Sequence, residues 1–443
     1  MLWLFYLLIF LAPFTGLVLD WHSFQWSRQI PYLGSFDAPA ADFLALVVLA
    51  AVIFSTLLRG RKMEQIYSPK KGIAAPRFAR LAMTYSPIGL FFFLPFFIIS
   101  ALSLFQVAPD QFNGSFKYLL RPILFFYLMW VFLPILLIGS EKVLNKVVKI
   151  FFWTGLLSAL MGFISLFSNS AIFGFWQRAA PISFWGFAPL GFNHNLLAEV
   201  LVATMPLAFY LFMRGSGQVK KFYFFSSLLI ATIALLTFAR AAWLALATQV
   251  IIYWSLRRSY PMSRVATEAI SRIKRRDCFA PLAMTFLVFP LLVYMFLFSM
   301  SPIVQSSNST RLDLTGIAWT YFKLHPWLGN GVGTFVPLVE STRLFTVEYG
   351  DPLDAHGVIQ KLMAEQGLLG LITFFVFVGW ILGRIWRGHR AADSEHKLLL
   401  LCLFMSVSGS LVYQLFNTSY YNAHLWLPVG LALAGVKVFK QEK

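Results

Sequence analysis

The fold is decided by residues 222–256, FYFFSSLLIATIALLTFARAAWLALATQVIIYWSL. Two apolar runs, 222–238 and 241–256, are separated only by Ala239 and Arg240. Uncharged apolar runs of this length are typical of helices that cross the hydrocarbon core of a membrane. In lipid a backbone must satisfy its own hydrogen bonds, so such runs are helical. The pair therefore predicts a tight hairpin of two membrane-spanning helices.

The rest of the chain has the same character. Of its 443 residues 59% are hydrophobic and 12% are charged, whereas soluble domains are about a quarter charged. A soluble fold could not bury so much apolar surface. The pattern predicts an all-α polytopic membrane protein, with one integral membrane domain over residues 1–443. The twelve candidate spans are 2–19, 40–58, 87–106, 122–138, 147–168, 194–213, 222–238, 241–256, 280–300, 366–383, 398–416 and 424–439.

The basic residues predict the orientation of these spans. If the N-terminus is cytoplasmic, 27 of the 36 Lys and Arg residues fall in cytoplasmic segments, as the positive-inside rule requires. Twelve spans then place both termini in the cytoplasm. Most of the net charge of +18 is thus a topology signal, which argues against nucleic acid as a partner.

Two long loops face outward in this topology, at about 169–193 and 301–365. Long loops in an otherwise economical helical bundle are where function is expected. The second holds the glycine cluster Gly329, Gly331 and Gly333, which predicts a tight turn whose bare backbone can approach a ligand or a helix. Its spacing fits no nucleotide-binding fingerprint. We expect short helices and turns in this loop rather than a separate domain.

Arg240 is the most informative charged residue, because it lies at the outer tip of the predicted hairpin. A guanidinium this close to hydrocarbon is costly unless an anion compensates it. One interpretation is an arginine that snorkels to the interface or pairs with a carboxylate. The other is an arginine that binds a lipid diphosphate, since guanidinium binds phosphate oxygens in a bidentate manner.

His356, in the second long loop, begins an amphipathic helical stretch. A histidine at a helix start that faces an outer cavity can act as a base near neutral pH, although a structural role is an equal alternative. Asp351 and Asp354 are spaced to cap that helix rather than to bind a metal ion.

The first long loop ends in FNHNLLA at residues 192–198, where the sixth predicted span opens. Asn193 and Asn195 are candidate helix caps, and we expect His194 to orient or pack rather than to bind a ligand. Glu199 lies one turn inside the span and needs a partner there. Arg178 or Arg240 is the expected partner.

Taken together, these segments resemble the O-antigen ligase and O-antigen polymerase superfamily. The family has an arginine after a Ser/Thr-Phe-Ser/Ala run between two spans, as TFAR does at 237–240. Arg311 and HPWLGNGVGTF at 325–335 match its loop pattern. HGVIQKLMAEQGLLG at 356–370 matches its closing pattern, except that Gly357 stands where asparagine is usual and Ile359-Gln360 where Leu-Gln is usual. The resemblance covers about residues 170–440.

This resemblance implies a membrane glycosyltransferase of the C-type fold, in the bacterial inner membrane, with its active site facing the periplasm. The donor would be a glycan on undecaprenyl diphosphate, and no metal, cofactor or nucleotide sugar would be needed. Arg240 and Arg311, helped by Arg178, would bind the diphosphate. His356 would activate or orient the acceptor hydroxyl, with inversion at the anomeric carbon. Supporting roles would fall to Asn193, Asn195, Glu199 and Glu365.

The sequence leaves the acceptor open. The leading hypothesis is a ligase that joins O-antigen to a lipid A-core sugar. A polymerase that extends a second lipid-linked chain, for O-antigen, capsule or exopolysaccharide, uses the same chemistry, and a protein O-glycosylating enzyme is a third possibility. A transporter or flippase would instead need charged groups near the bilayer midplane and half-to-half symmetry. Here Glu199 is nearly the only ionisable residue within a predicted span.

Overall fold

The structure is a computed structural model. It describes residues 2–14, 18–19, 38–66, 88–168, 178–183, 188–191, 193–256, 302–350, 352–417 and 423–441. Nearly all of these residues are helical, which confirms the predicted helical class of a polytopic membrane protein. Within these ranges, seven helical segments are long and apolar enough to cross a bilayer. The total of twelve spans, the C-type fold and the cytoplasmic termini stay predictions.

The described residues of the first half of the chain form six α-helices and one short strand pair. The strands Val18–Leu19 and Ala38–Pro39 pair antiparallel. Two π-helical segments, Leu119–Phe125 and Tyr127–Phe132, lie between α4 and α5. The helices are α1 (Leu2–Leu11), α2 (Ala40–Ile66), α3 (Ile88–Ser103, extended by a 3-10 turn at Leu104–Gln106), α4 (Phe112–Tyr118), α5 (Leu133–Leu137) and α6 (Glu141–Ser168).

The second half contributes nine helices among its described residues. They are α7 (His194–Arg214), α8 (Gly217–Leu236), α9 (Arg240–Leu256), α10 (Pro302–Leu324), α11 (Phe335–Ser341), α12 (Arg343–Tyr349), α13 (Val358–Ala391), α14 (Ser394–Gln414) and α15 (Ala423–Gln441). The predicted hairpin of spans seven and eight is present as α8 and α9. The ninth predicted span, 280–300, lies outside the described residues.

The first predicted span, 2–19, is wrong in its length. Helix α1 ends at Leu11, and residues 18–19 form a strand. Pro13 follows the helix end closely, and a proline cannot continue a helical hydrogen-bond ladder. A helix of 10 residues rises about 15 Å, roughly half of a hydrocarbon core. The apolar composition of residues 2–19 therefore predicts a longer helix than the one that forms.

The long loop at 301–365 folds onto the bundle and has a small core of its own. Its helices α10, α11 and α12 enclose a buried cluster that includes Leu314, Phe335, Val339 and Phe345. Ala364 of α13 belongs to the same cluster, so the loop packs against the helix that follows it. Short helices and a turn were expected here, but α10 is longer than predicted, with 23 residues.

The glycine-rich turn at 325–334 wraps around a kink in α13. Gly367 interrupts that helix with φ 63° and ψ −159°. The freed N–H groups of Leu368 and Leu369 donate to the carbonyls of Pro326 (2.8 Å) and Trp327 (3.2 Å). The Gly331 N–H donates to the Glu365 carbonyl at 2.9 Å. The bare glycine backbone thus approaches a packed helix, which was one of the two roles open to it.

The described contacts separate two ends of the bundle. At one end the start of α7 meets the end of α14, where the Tyr413 hydroxyl donates to the Asn195 carbonyl at 2.8 Å. At the other end Arg214, the last residue of α7, pairs with Glu395 in the first turn of α14 at 3.1 Å. The two helices are therefore antiparallel. All the predicted site residues lie at the first end.

Candidate active site

The α8–α9 turn fixes the position of Arg240. The Thr237 hydroxyl donates to the Ala234 carbonyl at 2.7 Å and accepts from the Ala239 N–H at 3.3 Å. Phe238 adopts a positive φ of 55°, which turns the chain before α9 begins at Arg240. The Arg240 guanidinium donates to the Asn308 side-chain oxygen of α10 at 2.6 Å. That partner is a neutral amide, so the positive charge of Arg240 is not cancelled by it.

Arg178 is brought to the same turn by its backbone. The Ala179 N–H donates to the carbonyl of Leu236, the last residue of α8, at 2.9 Å. The Ala180 N–H donates to the Ser165 hydroxyl of α6 at 3.0 Å. The short described segment 178–183 is thereby tied to the ends of α6 and α8. The Arg178 side chain is exposed.

Arg311 of α10 lies at the centre of the predicted site residues. Its charge interacts with Arg240, with His356 and with His194, and Arg178 also acts on His194. Burial lowers the pKa of Arg311, and the nearby Arg240 charge lowers it further. Partial desolvation also lowers the pKa of Arg240, and that of Arg178 although its side chain reaches the surface. The structure therefore brings together the four residues that the sequence singles out most strongly.

No carboxylate neutralises this cluster within the described parts of the chain. None of its three arginines is in ion-pair contact with an acidic residue there. The Nε atom of Arg311 is buried and has no hydrogen-bond partner among the described residues. The ion pairs found are Arg121–Asp42, Arg214–Glu395, Lys361–Asp354, Lys361–Glu365 and His396–Glu141. Uncompensated positive charges at close range are unfavourable, so the site is suited to an anion.

His356 lies two residues before α13 and is partly buried. Burial, followed by the positive charge of Arg311, lowers its pKa to about 4, and the Asp354 carboxylate opposes that shift. At neutral pH the imidazole is therefore uncharged and has a nitrogen free to accept a proton. A neutral histidine beside a group of cations is a chemical arrangement that can orient a hydroxyl.

The N-terminus of α7 carries three of the supporting residues. Asn193 is its N-cap, and its side-chain oxygen accepts from the Asn195 N–H at 2.9 Å, which confirms the capping role of Asn193. Asn195 lies inside α7, so the predicted capping role of Asn195 is wrong. Glu199 is buried and accepts a hydrogen bond from the Gln414 amide at 2.6 Å. The predicted pairing of Glu199 with Arg178 or Arg240 is wrong, because the structure provides the Gln414 amide as a partner at this depth.

Asp354 has a different contact from the one that the sequence predicts, and it shares its partner Lys361 with Glu365. Gly357, rather than an aspartate, is the N-cap of α13, so the predicted capping role of Asp354 is wrong; Asp351 lies outside the described residues. Asp354 instead accepts from the buried Lys361 ammonium at 2.6 Å. Glu365 accepts from the Phe335 N–H at 3.1 Å and lies 3.3 Å from the Lys361 nitrogen. Both carboxylates lie beside Lys361 because a buried ammonium is unfavourable unless carboxylates compensate its charge.

Sequence reasoning missed two residues of α14. The Tyr413 phenol is buried, bonds to the Asn195 carbonyl and interacts electrostatically with Arg311 and Glu199. Its neighbour Gln414 holds Glu199. A polar pair at the end of an apolar run was a usable signal, but only the packing of α14 on α7 indicates what it contacts.

The described residues contain no group of three or more His, Cys, Asp or Glu side chains that could hold a metal ion. The cluster offers guanidinium and imidazole groups, which favour an anionic ligand. Independence from metal stays a prediction.

Residues 225–375 match the family model described as O-antigen ligase. This region belongs to the O-antigen ligase family. The O-antigen ligase region contains Arg240, Arg311, His356 and Glu365, whereas Arg178 lies before it. No curated protein matches the chain significantly. The family match supports an O-antigen ligase- or polymerase-type function of a glycosyltransferase-like membrane enzyme, whose substrates are lipid-linked glycans.

Proposed function

We propose that this protein transfers a glycan from undecaprenyl diphosphate to an acceptor sugar on the periplasmic side of the bacterial inner membrane. The proposed acceptor is the lipid A-core, so the reaction is O-antigen ligation. The observation that carries the proposal is the grouping of Arg178, Arg240, Arg311 and His356 at one end of the bundle. That grouping has no carboxylate partner for the arginines among the described residues.

The three arginines bind the diphosphate of the donor. Arg311 has a buried Nε donor that no described residue uses, and an unused buried donor is costly unless a ligand satisfies it. Guanidinium groups bind phosphate oxygens in pairs, with charge assistance. In a site of low dielectric they also stabilise the charge that grows on the departing diphosphate. Cations of the chain thus supply the electrostatic stabilisation that a metal ion supplies elsewhere.

His356 binds the acceptor hydroxyl. The acceptor oxygen forms a bond to the anomeric carbon while the bond from that carbon to the diphosphate breaks, with inversion. The hydroxyl proton passes to the neutral imidazole, and the bonding electron pair leaves with the diphosphate. Burial and, after it, the charge of Arg311 depress the pKa of His356. An anion bound to Arg311 offsets that charge, so donor binding makes His356 a stronger base.

A transfer assay with purified protein in lipid vesicles tests these roles. The reactants are a glycan on undecaprenyl diphosphate and lipid A-core. We expect His356→Ala to lower the transfer rate by about 10²- to 10⁴-fold, the usual range for loss of a general base. Arg240→Ala and Arg311→Ala should each lower it by about 10²-fold or more, as for loss of a group that stabilises transition-state charge.

Arg214→Ala is the matched control. Arg214 is a helix-terminal arginine at the opposite end of α7, paired with Glu395, so its removal should leave the rate unchanged. The proposal is wrong if Arg240→Ala, Arg311→Ala and His356→Ala all transfer at the rate of the unmodified protein while correctly inserted.

A polymerase would use the same donor, so the transfer chemistry does not distinguish it from a ligase. The glycan profile of a deletion strain does. Loss of a ligase leaves polymer attached to undecaprenyl diphosphate and leaves the lipid A-core bare. Loss of a polymerase leaves single repeat units on the core. The second profile would show that the reaction is polymerisation rather than ligation, with the same residues in the proposed site.

A further inference from the structure

We infer that the Asp354–Lys361 ion pair positions His356 for transfer, so that both members of the pair are positioning residues of the reaction. The inference rests on the role proposed above for His356. It extends that role, because the sequence predicts only a helix cap for Asp354 and no function for Lys361.

The ion pair joins the segment before His356 to helix α13. Lys361 Nζ lies 2.6 Å from Asp354 Oδ1, and the lysine side chain is only 2% exposed. The same Oδ1 accepts from the Ala355 N–H at 2.8 Å. A buried ammonium without a carboxylate is strongly unfavourable, so the contact is not free to open. One carboxylate oxygen therefore fixes the backbone immediately before His356.

Lys361 is itself held from its other side. Glu365, one turn further along α13 and fully buried, lies 3.3 Å from the Lys361 nitrogen. Glu365 also accepts from the N–H of Phe335, the first residue of α11. The Lys361 nitrogen lies 5.1 Å from the centre of the Tyr118 ring. The lysine is thus a rigid point between α4, α11 and α13, and Asp354 is tied to it.

The backbone after His356 is held by close packing. A side-chain carbon at position 357 would come within 2.6 Å of the Leu415 carbonyl, immediately after α14. Gly357 therefore allows α13 to start directly against the end of α14. His356 lies between an ion pair on one side and this close contact on the other, which leaves its segment little freedom to move.

Loss of the Asp354 charge does not remove the neutral form of His356. The charged groups that act on the imidazole are Arg311, from α10, which lowers its pKa, and Asp354, from its own segment, which raises it. Without the carboxylate, the pKa of His356 falls further and the ring stays neutral. A loss of rate in such a variant that is the same from pH 6 to pH 8 therefore reports position rather than protonation.

Asp354→Asn tests the inference in the full-length protein, in vesicles, with the transfer assay above. We expect kcat to fall about tenfold or more, because small misplacements of a reacting group are costly. KM for the lipid-diphosphate donor should change by less than about twofold, since the arginines are untouched. The loss should be the same at pH 6 and pH 8. Asp354→Glu, which keeps the charge, should recover part of the rate.

Asp313→Asn is the matched control. Asp313 is exposed in α10 of the same loop and accepts from the Tyr349 hydroxyl at 2.6 Å. Its replacement should leave kcat unchanged. If Asp354→Asn fails to fold, the paired variant Lys361→Met with Glu365→Gln removes the ammonium without leaving a buried carboxylate uncompensated. That variant should lower kcat to a similar extent.

Unchanged kcat in a folded Asp354→Asn protein would overturn the inference, as would a KM increase that accounts for the whole loss. His356→Ala separates this result from failure of the proposed function. If His356→Ala is inactive while Asp354→Asn is fully active, only the positioning role fails. If His356→Ala is also fully active, the proposed role of the histidine fails as well.

Discussion

At the scale of the residue, burial and, second to it, the charge of Arg311 lower the pKa of His356. Because the pKa of His356 is lowered to about 4, its neutral form predominates above that pH. We expect kcat/KM for transfer to be constant from about pH 8 to pH 5 and to fall as the imidazole becomes protonated near pH 4. Arg311→Gln removes the charge that depresses the pKa, so the acid limb should move to higher pH.

Arg311→Lys is the control for this prediction, because it keeps a positive charge and should keep the acid limb near its original position. The measurement is the pH dependence of kcat/KM, which reports groups of the free enzyme. An acid limb that stays near pH 4 in Arg311→Gln would contradict the assignment of the limb to His356.

Gly357 gives a second prediction at this scale. Its φ is −171°, an extended conformation open to any residue, so packing alone restricts it. An added Cβ would approach the Leu415 carbonyl at 2.6 Å. We expect Gly357→Ala to shift the His356 segment and lower kcat about tenfold or more. Gly316→Ala in α10, where an added Cβ meets nothing within 4 Å, should leave kcat unchanged.

At the scale of the element, the kink in α13 organises the end of the bundle that carries the arginine cluster. The part of α13 before Gly367 contains Lys361 and Glu365, and Glu365 bonds to the start of α11. The part after Gly367 is the long apolar run. The interruption of the helix at Gly367 frees N–H groups, and the glycine-rich turn satisfies them. The kink has an identifiable cause, namely a glycine in a conformation that other residues rarely adopt.

Gly367→Ala should therefore destabilise the protein. The residue has φ 63° and ψ −159°, and an added Cβ would lie 2.6 Å from the Trp327 carbonyl. The expected cost is about 1–3 kcal/mol from backbone strain, before any clash. It should appear as a lower midpoint of thermal unfolding in detergent. Gly379 lies in the same helix, and a Cβ added there meets nothing within 4 Å, so Gly379→Ala should unfold at the midpoint of the unmodified protein or above it. If the two variants unfold at the same midpoint, this account of the kink is contradicted.

At the scale of the whole molecule, the antiparallel helices place the arginine cluster at one end and the Arg214–Glu395 pair at the other. The Lys and Arg distribution predicts that the cluster faces the periplasm. The predicted orientation can be measured by labelling single cysteines in cells whose outer membrane has been removed and whose inner membrane is intact. Ser306 in α10 and Glu395 in α14 are both exposed and lie at opposite ends.

A membrane-impermeant maleimide should label Ser306→Cys in intact cells and Glu395→Cys only after the inner membrane is opened. Cys278→Ser serves as the background, and Cys402 is buried. The reverse labelling pattern would place the cluster in the cytoplasm. It would also rule out a periplasmic glycan transfer at this site.

Much of the architecture follows from apolar run lengths. Ten of the twelve predicted spans overlap long described helices, because a backbone in lipid has no alternative to a helix. The span predicted at 2–19 is too long because mean hydropathy does not detect that Pro13 prevents the helix from continuing. Arg240 was identifiable as a charged residue between two apolar runs, and His356 as a histidine at the start of an amphipathic stretch. Tyr413 and Lys361 were not, since a phenol or an ammonium is ordinary at a helix end until its burial is known.

The amino-acid sequence by itself determined the class of fold, the helical hairpin around Arg240 and the family of the region 225–375, because these depend on local hydropathy and on short motifs. Only the tertiary structure decided that Arg178, Arg311 and His356 lie near Arg240, and that Lys361 joins Asp354 to Glu365. The physical reason is that charges far apart in sequence interact according to distance in space. That distance is set by how α7, α10, α13 and α14 pack against one another.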